Sequence, residues 1–174
     1  MKKIIIALFF FANTAALYAQ HSYAIIHGLI NYKYKNQYSS YNPLNDATAI
    51  SLSFYYSENW GITKDLEYCL KPGVMLSGIP NFWSAKLGNG VRYWVNDAIY
   101  LSSEGNIDFH PLQGAKTNAK YFTLNIGVSL GLRIKDALFV VPAFHVPIDG
   151  DYGLQSKTRY LVNWHFGLGF EWNY

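Results

Sequence analysis

The end of the chain, Arg159 to Tyr174, alternates between two kinds of side chain. Tyr160, Val162, Trp164, Phe166, Leu168, Phe170, Trp172 and Tyr174 fall on one face, and Arg159, Leu161, Asn163, His165, Gly167, Gly169, Glu171 and Asn173 on the other. A period of two marks a β-strand whose faces have different surroundings. Bulky aromatics run to the last residue on one face, so the simplest surroundings are lipid there and a crowded polar interior opposite. Strands in lipid must satisfy their backbone groups within the protein, which only a closed barrel achieves. Phe122, Leu124, Ile126, Val128, Leu130, Leu132 and Ile134 repeat the pattern against Thr123, Asn125, Gly127, Ser129, Gly131 and Arg133, as do Ile50, Leu52, Phe54 and Tyr56 against Ser51, Ser53 and Tyr55. Leu138 to Val146 is apolar on both faces and contains Pro142, which predicts a bulge or a locally apolar lumen.

Three segments share a turn pattern with a central Asp: Ile62 to Leu66, Val95 to Ile99 and Ile134 to Leu138, with Asp65, Asp97 and Asp136. They cut the chain into four pieces, each with room for two membrane-crossing strands and a loop. The predicted strands are 23–34, 48–61, 66–76, 82–95, 99–110, 120–134, 138–147 and 159–173. The Asp turns are short, while the connections 35–47, 77–81, 111–119 and 148–158 are mostly longer and rich in Asn, Gly, Pro and Ser. That asymmetry places the turns and both termini on the periplasmic side and the loops outside. A three-residue turn at Asn96 to Ala98 pairs Val95 with Ile99. It keeps Val91, Tyr93, Ile99 and Leu101 toward lipid and points Arg92, Ser102 and Glu104 inward together. The fold class is thus all-β, an eight-stranded antiparallel transmembrane up-and-down β-barrel.

The amino terminus sharpens the destination. Lys2 and Lys3, the apolar run Ile4 to Ala12 and small residues up to Ala19 read as a secretory signal peptide over 1–19, leaving 20–174 as the barrel domain. The 14 basic and 11 acidic residues of the whole chain become 12 and 11 without Lys2 and Lys3, and no basic cluster suggests nucleic acid. Charged residues form 14% of the chain and aromatics 18%. Few charges and many aromatics suit a lipid-facing wall with aromatic girdles, and Trp60, Tyr93 and Trp172 fall where the inner girdle belongs. The lone Cys69 reads as a buried, inert thiol.

With the signal peptide, the Asp turns, the Gly-and-aromatic strands and the terminal Phe170-Glu171-Trp172-Asn173-Tyr174, the chain resembles the small outer-membrane β-barrel proteins of the OmpX and OmpA-barrel type. The likeness is one of pattern and covers 20–174. It implies outer-membrane lipid as surroundings and the barrel-assembly machinery as a partner of the C-terminal strand. The usual last residue in that family is Phe, from which Tyr174 departs.

An eight-stranded barrel is just filled by its side chains, so inward charges must pair. The expected lumen pairs are Arg92 with Glu104 or Asp108, and Arg133 with Glu171. Catalysis has weak candidates in Asp108, His110 and Ser102 on one strand, without an accompanying nucleophile motif. His21, His27, His110, His145 and His165 have no metal-ligand spacing and are assigned to lumen or rim; no metal and no cofactor is expected. Tyr38 and Tyr41 in the first loop and Asp149, Asp151 and Tyr152 in the last are candidates for surface recognition or an extracellular or envelope partner. The leading expectation is therefore a non-catalytic envelope component. Its rivals are a lipid-modifying barrel enzyme of deacylase or acyltransferase type, and a soluble lipocalin-like barrel with the faces reversed.

Overall fold

A computed structural model describes residues 20–36, 45–78, 83–109, 122–148, 151–155 and 158–174; side chains are described for all of these except 34–36, 45, 151–155 and 158–161. The strands are β1 (Gln20–Asn36), β2 (Asn45–Gly61), β3 (Leu66–Ser77), β4 (Trp83–Asn96), β5 (Ile99–Phe109), β6 (Phe122–Lys135), β7 (Leu138–Pro147), β8 (Asp151–Gln155) and β9 (Thr158–Asn173). All neighbours pair antiparallel, in the order β1 to β7, then β9, and β9 returns to β1. Closure removes every sheet edge through the membrane, which is the condition lipid imposes. The result is an eight-stranded transmembrane barrel.

β8 was expected to be loop. It takes the place beside β9 that β7 leaves, pairing Asp151 with Leu161 and Tyr152 with Tyr160. The ladder also continues between β1 and β9 as far as Asn36 opposite Thr158, and between β1 and β2 as far as Tyr34 opposite Asn45. One side of the barrel therefore stands higher than the rest at its outer end.

The two-faced pattern is borne out in the burial. Ile25, Leu29, Ile50, Phe54, Val74, Leu87, Val91, Leu101, Ile126, Val128, Phe166, Leu168 and Phe170 are exposed on the outer surface, while Ser22, Ser53, Arg92, Glu104, Asp108, Thr123 and Glu171 are buried inside. Soluble proteins do the reverse, and a lipocalin-like reading fails on this point. At the turn end Tyr23, Tyr68, Tyr93, Trp172 and Tyr174 face outward, and Trp60 stacks on Tyr68 at 5.7 Å. Trp83, Phe109 and Phe122 form the opposite band.

Among the described residues four pairings carry a register irregularity, and the first of them alters the phase that strict alternation predicts. Between Asn31 and Tyr32 of β1, the β9 register skips Asn163. Trp164 stays on the outer face, but Val162 turns inward and is buried. Asn163 donates to Asn31 Oδ1 at 2.6 Å within this irregularity. The second lies before the Asp97 turn, where Asn96 rather than Val95 pairs with Ile99. The turn is one residue shorter than expected and the bulge one residue longer, so Val91, Tyr93, Ile99 and Leu101 keep the orientation predicted for them. The Asp136 turn is built the same way, with Lys135 opposite Leu138 and Asp136 at φ 36°, a left-handed conformation that Asp tolerates better than most residues.

Pro142 lies in an otherwise regular register. It leaves a gap in the β6–β7 ladder between the pairs Ser129–Ala143 and Leu132–Val140. Instead of a bulge, the inner face here is apolar: Phe139, Val141 and Ala143 are buried, and Ala143 joins Ala24, Ile26 and Tyr55 in one cluster.

Candidate functional site: the charged lumen

Among the described residues, the inward positions of β3, β4, β5 and β9 carry seven Lys, Arg, Asp and Glu side chains: Glu67, Lys71, Lys86, Arg92, Glu104, Asp108 and Glu171. A charge inside a narrow barrel is costly unless paired, and the stagger between strands decides which partners meet.

Nearest the turns, Arg92 Nη2 donates to Glu171 Oε1 at 2.6 Å, and Nη1 lies 3.8 Å from Glu67 Oε2. The guanidinium sits 4.1 Å from the Tyr100 ring centroid, and Tyr100 Oη donates to Glu171 Oε2 at 2.9 Å. Trp94 and Phe139 pack against Tyr100 at 5.2 and 5.5 Å. This aromatic and ionic layer closes the bore, since Arg92, Tyr100 and Phe139 are all fully buried.

Above it, Glu104 gathers three donors: Lys71 Nζ at 2.7 Å, His145 Nε2 at 2.7 Å and Asn106 Nδ2 at 3.1 Å. Lys71 also reaches Ser102 Oγ at 3.4 Å. Toward the loops, Asp108 accepts from Asn125 at 3.0 Å and lies 3.6 Å from Lys86 Nζ, which also donates to Tyr55 Oη at 3.3 Å. His145 and His165 stack with centroids 5.7 Å apart, and His165 Nε2 is 2.7 Å from Ser51 Oγ. Two small cavities border His145, one of them also His165, each of about 20 Å³, room for roughly one water.

Arg92, Glu104 and Glu171 lie in the lumen, with partners that differ from those expected. Arg92 takes Glu171 and Glu67, while Glu104 takes Lys71 and His145. Arg133 does not pair with Glu171; its guanidinium lies 5.3 Å from the Phe139 ring centroid, beside an open basin at the turn end that Lys64, Asp97 and Asp136 also line. Lys71 and Lys86 were missed, although their positions opposite Tyr68 and Leu87 in the alternation mark them as inward. Cys69 is free and buried.

Of the weak catalytic candidates, Ser102 and Asp108 both point inward but stand six residues apart on β5, about 20 Å along a strand. His110 lies outside the described residues, as do Tyr38, Tyr41 and Asp149; Asp151 and Tyr152 are on β8, where only the backbone is described. Among the described residues Ser51 contacts the His165 imidazole, while Glu104 holds the neighbouring His145 ring instead. Among the described residues no group of three His, Cys, Asp or Glu side chains forms a metal site.

The other two described histidines face outward, His21 at the rim and His27 against expectation. His21 is on the outer surface at the turn end, with Nδ1 3.2 Å from Glu58 Oε2 and 2.9 Å from Tyr56 Oη, which in turn donates to Glu58. His27 also faces outward, because it shares the phase of Ile25 and Leu29 on β1.

A closed eight-stranded barrel with a filled, ion-paired bore and two aromatic bands defines the class of the small outer-membrane β-barrel proteins. No protein-family model matches the chain, and no curated protein matches it in sequence. Among solved structures it is similar to Ail, the attachment invasion locus protein of Yersinia pestis, in complex with the heparin analogue sucrose octasulfate, at 10% identity and a TM-score of 0.50, over 90% of this chain and 99% of that one. It is also similar to Neisserial surface protein A, at 11% identity, a TM-score of 0.46 and 87% and 97% coverage. A third is the N-terminal β-barrel domain of Pseudomonas aeruginosa OprF, at 16% identity, a TM-score of 0.46 and 90% and 99% coverage. At such identities the likeness is one of fold.

Proposed function

We propose that the protein is a non-catalytic component of the outer membrane, exported by residues 1–19, assembled through recognition of its aromatic C-terminal strand, and acting through its outer end. The observation that carries this reading is the state of the lumen. Among the described residues its Lys, Arg, Asp and Glu side chains lie in ion-pair reach of one another, and the Arg92–Tyr100–Phe139 layer packs across the bore, which supports a role without chemistry or transport inside the barrel.

The raised edge formed by β8, β9, β1 and β2 supports a role for the outer loops. It carries paired backbone beyond the aromatic band, from which Tyr38, Tyr41, Asp149, Asp151 and Tyr152 would present contact groups to an envelope or extracellular partner.

The test uses the folded protein, identified by heat-dependent gel mobility, in vesicles of outer-membrane lipid. Mass spectrometry of the lipids is expected to show no acyl loss or transfer, and the vesicles are expected to retain small trapped solutes. New lipid species formed by wild type but not by Ser51→Ala would overturn the non-catalytic reading in favour of a lipid-modifying enzyme.

A further inference from the structure

β1 begins with Gln20, the residue that export through 1–19 would leave first in the mature chain. Its backbone already belongs to the ladder, opposite Asn59 of β2. Tyr174 N donates to His21 O at 2.8 Å, so His21 turns its backbone groups to β9, and Gln20, one residue earlier, turns its own to β2. The side chain has the inward phase of Ser22 and Ala24, but it sits at the mouth, where it is exposed and lines the open basin of about 670 Å³ at the turn end. No hydrogen bond from another described residue holds its amide.

A glutamine in first position carries its own reaction partner. The α-amino nitrogen can reach the side-chain amide carbon through an unstrained five-membered ring, and a nucleophile tethered at that distance acts at a high effective concentration. An α-amino group titrates close to neutral pH, so a share of it is the unprotonated nucleophile there. Its nitrogen attacks the amide carbon and forms the ring C–N bond. The bond to the amide nitrogen breaks, and that nitrogen leaves as ammonia with a proton from the amine, so no oxidant or other reactant is needed. The exposed position at the basin leaves room for the ring, and the backbone carbonyl that faces Asn59 is untouched. A cut after Ala16 would instead put Leu17 first, which has no amide to close on.

We propose that Gln20 is a modification site, at which the side chain closes on the newly freed α-amino group so that the mature barrel begins with pyroglutamate. The inference rests on the export reading given above. The modification places a neutral lactam, in place of an ammonium, at the rim of the basin that Asp65, Asp97 and Asp136 also line. It also removes the free amine by which aminopeptidases grip a chain. That protection matters at this residue, because the pairing of β1 with β2 starts here and trimming would shorten the ladder from its first pair.

The experiment treats membranes from cells expressing the full chain with an amine-reactive label before any unfolding or digestion, because a labelled amine can no longer cyclise. The N-terminal peptide is then read by mass spectrometry after proteolysis. Wild type is expected to begin at residue 20, to be lighter than the encoded peptide by one ammonia and to carry no label on its first residue. Gln20→Ala, shown to be folded by heat-dependent gel mobility, is expected to begin at the same position with its first residue labelled. A labelled, uncyclised Gln20 in wild type would overturn the modification and leave the export reading standing, as would a chain that begins at Leu17. A chain that keeps residues 1–19 would overturn the export reading and the modification together.

Discussion

Arg92 on β4 and Glu171 on β9 form a 2.6 Å ion pair across the bore, between residues 79 apart in sequence. Tyr100 completes the arrangement by donating to the other carboxylate oxygen. Removing one member leaves the other charged and buried, whereas replacing both by apolar groups removes the demand. Glu171→Gln is therefore expected to destabilise the folded barrel by about 3–5 kcal/mol, and the double change Arg92→Met with Glu171→Met to cost much less. Urea unfolding of the vesicle-inserted protein, read by tryptophan fluorescence, compares the two. A double variant weaker than the single one would refute the dependence on pairing.

Gly131 faces the Tyr100 ring so closely that a Cβ built on it would lie 2.0 Å from a ring carbon, while a Cβ on the outward Gly105 would meet nothing within 4 Å. Gly131→Ala must push Tyr100 off Glu171 or bend the β5–β6 wall. A loss of about 1–3 kcal/mol is expected, against almost none for Gly105→Ala. Equal stability of the two variants would contradict the contact.

Cys69 points into the bore and has no exposed surface. Only an accessible thiolate reacts, so a maleimide reagent is expected to leave the folded protein unlabelled in vesicles and to label it fully once urea unfolds it. Labelling of the folded form at a rate near that of the unfolded chain would show a solvent path to the lower lumen.

Ser51 and His165 hold each other at 2.7 Å on the inner face of β2 and β9. Ser51→Ala leaves the imidazole nitrogen without its partner in a site lined largely by protein, and a loss of roughly 1 kcal/mol in the same unfolding assay is expected. An unchanged unfolding midpoint would mean that this hydrogen bond contributes nothing to the barrel.

The alternation of side chains was sufficient to assign most faces. Phe122 to Ile134 and Phe166 to Trp172 face lipid as their period of two requires, and the small residues opposite them line the bore. Such information is local: each residue's face follows from its neighbours' faces, and lipid tolerates only one assignment. The exceptions have two causes. Val162 turned inward because a bulge at Asn163 reset the phase, and β8 formed because backbone pairing continued where composition suggested a loop. His27 follows the alternation faithfully; its lipid-facing place is legible from Ile25 and Leu29, but is masked by the expectation that histidine seeks the interior.

Which charges meet was a different matter. Arg92, Glu104, Asp108 and Glu171 could all be assigned to the inside from their phase alone, yet nothing in the chain order says that Arg92 lies against Glu171 or that Glu104 takes Lys71 and His145. Those contacts cross the bore between strands that are not neighbours, and they depend on strand tilt and accumulated stagger, which belong to the closed cylinder as a whole. Period and polarity thus determined the wall and its two solvents, and closure alone decided the partners within it, because the distance across a barrel is a property of all eight strands together.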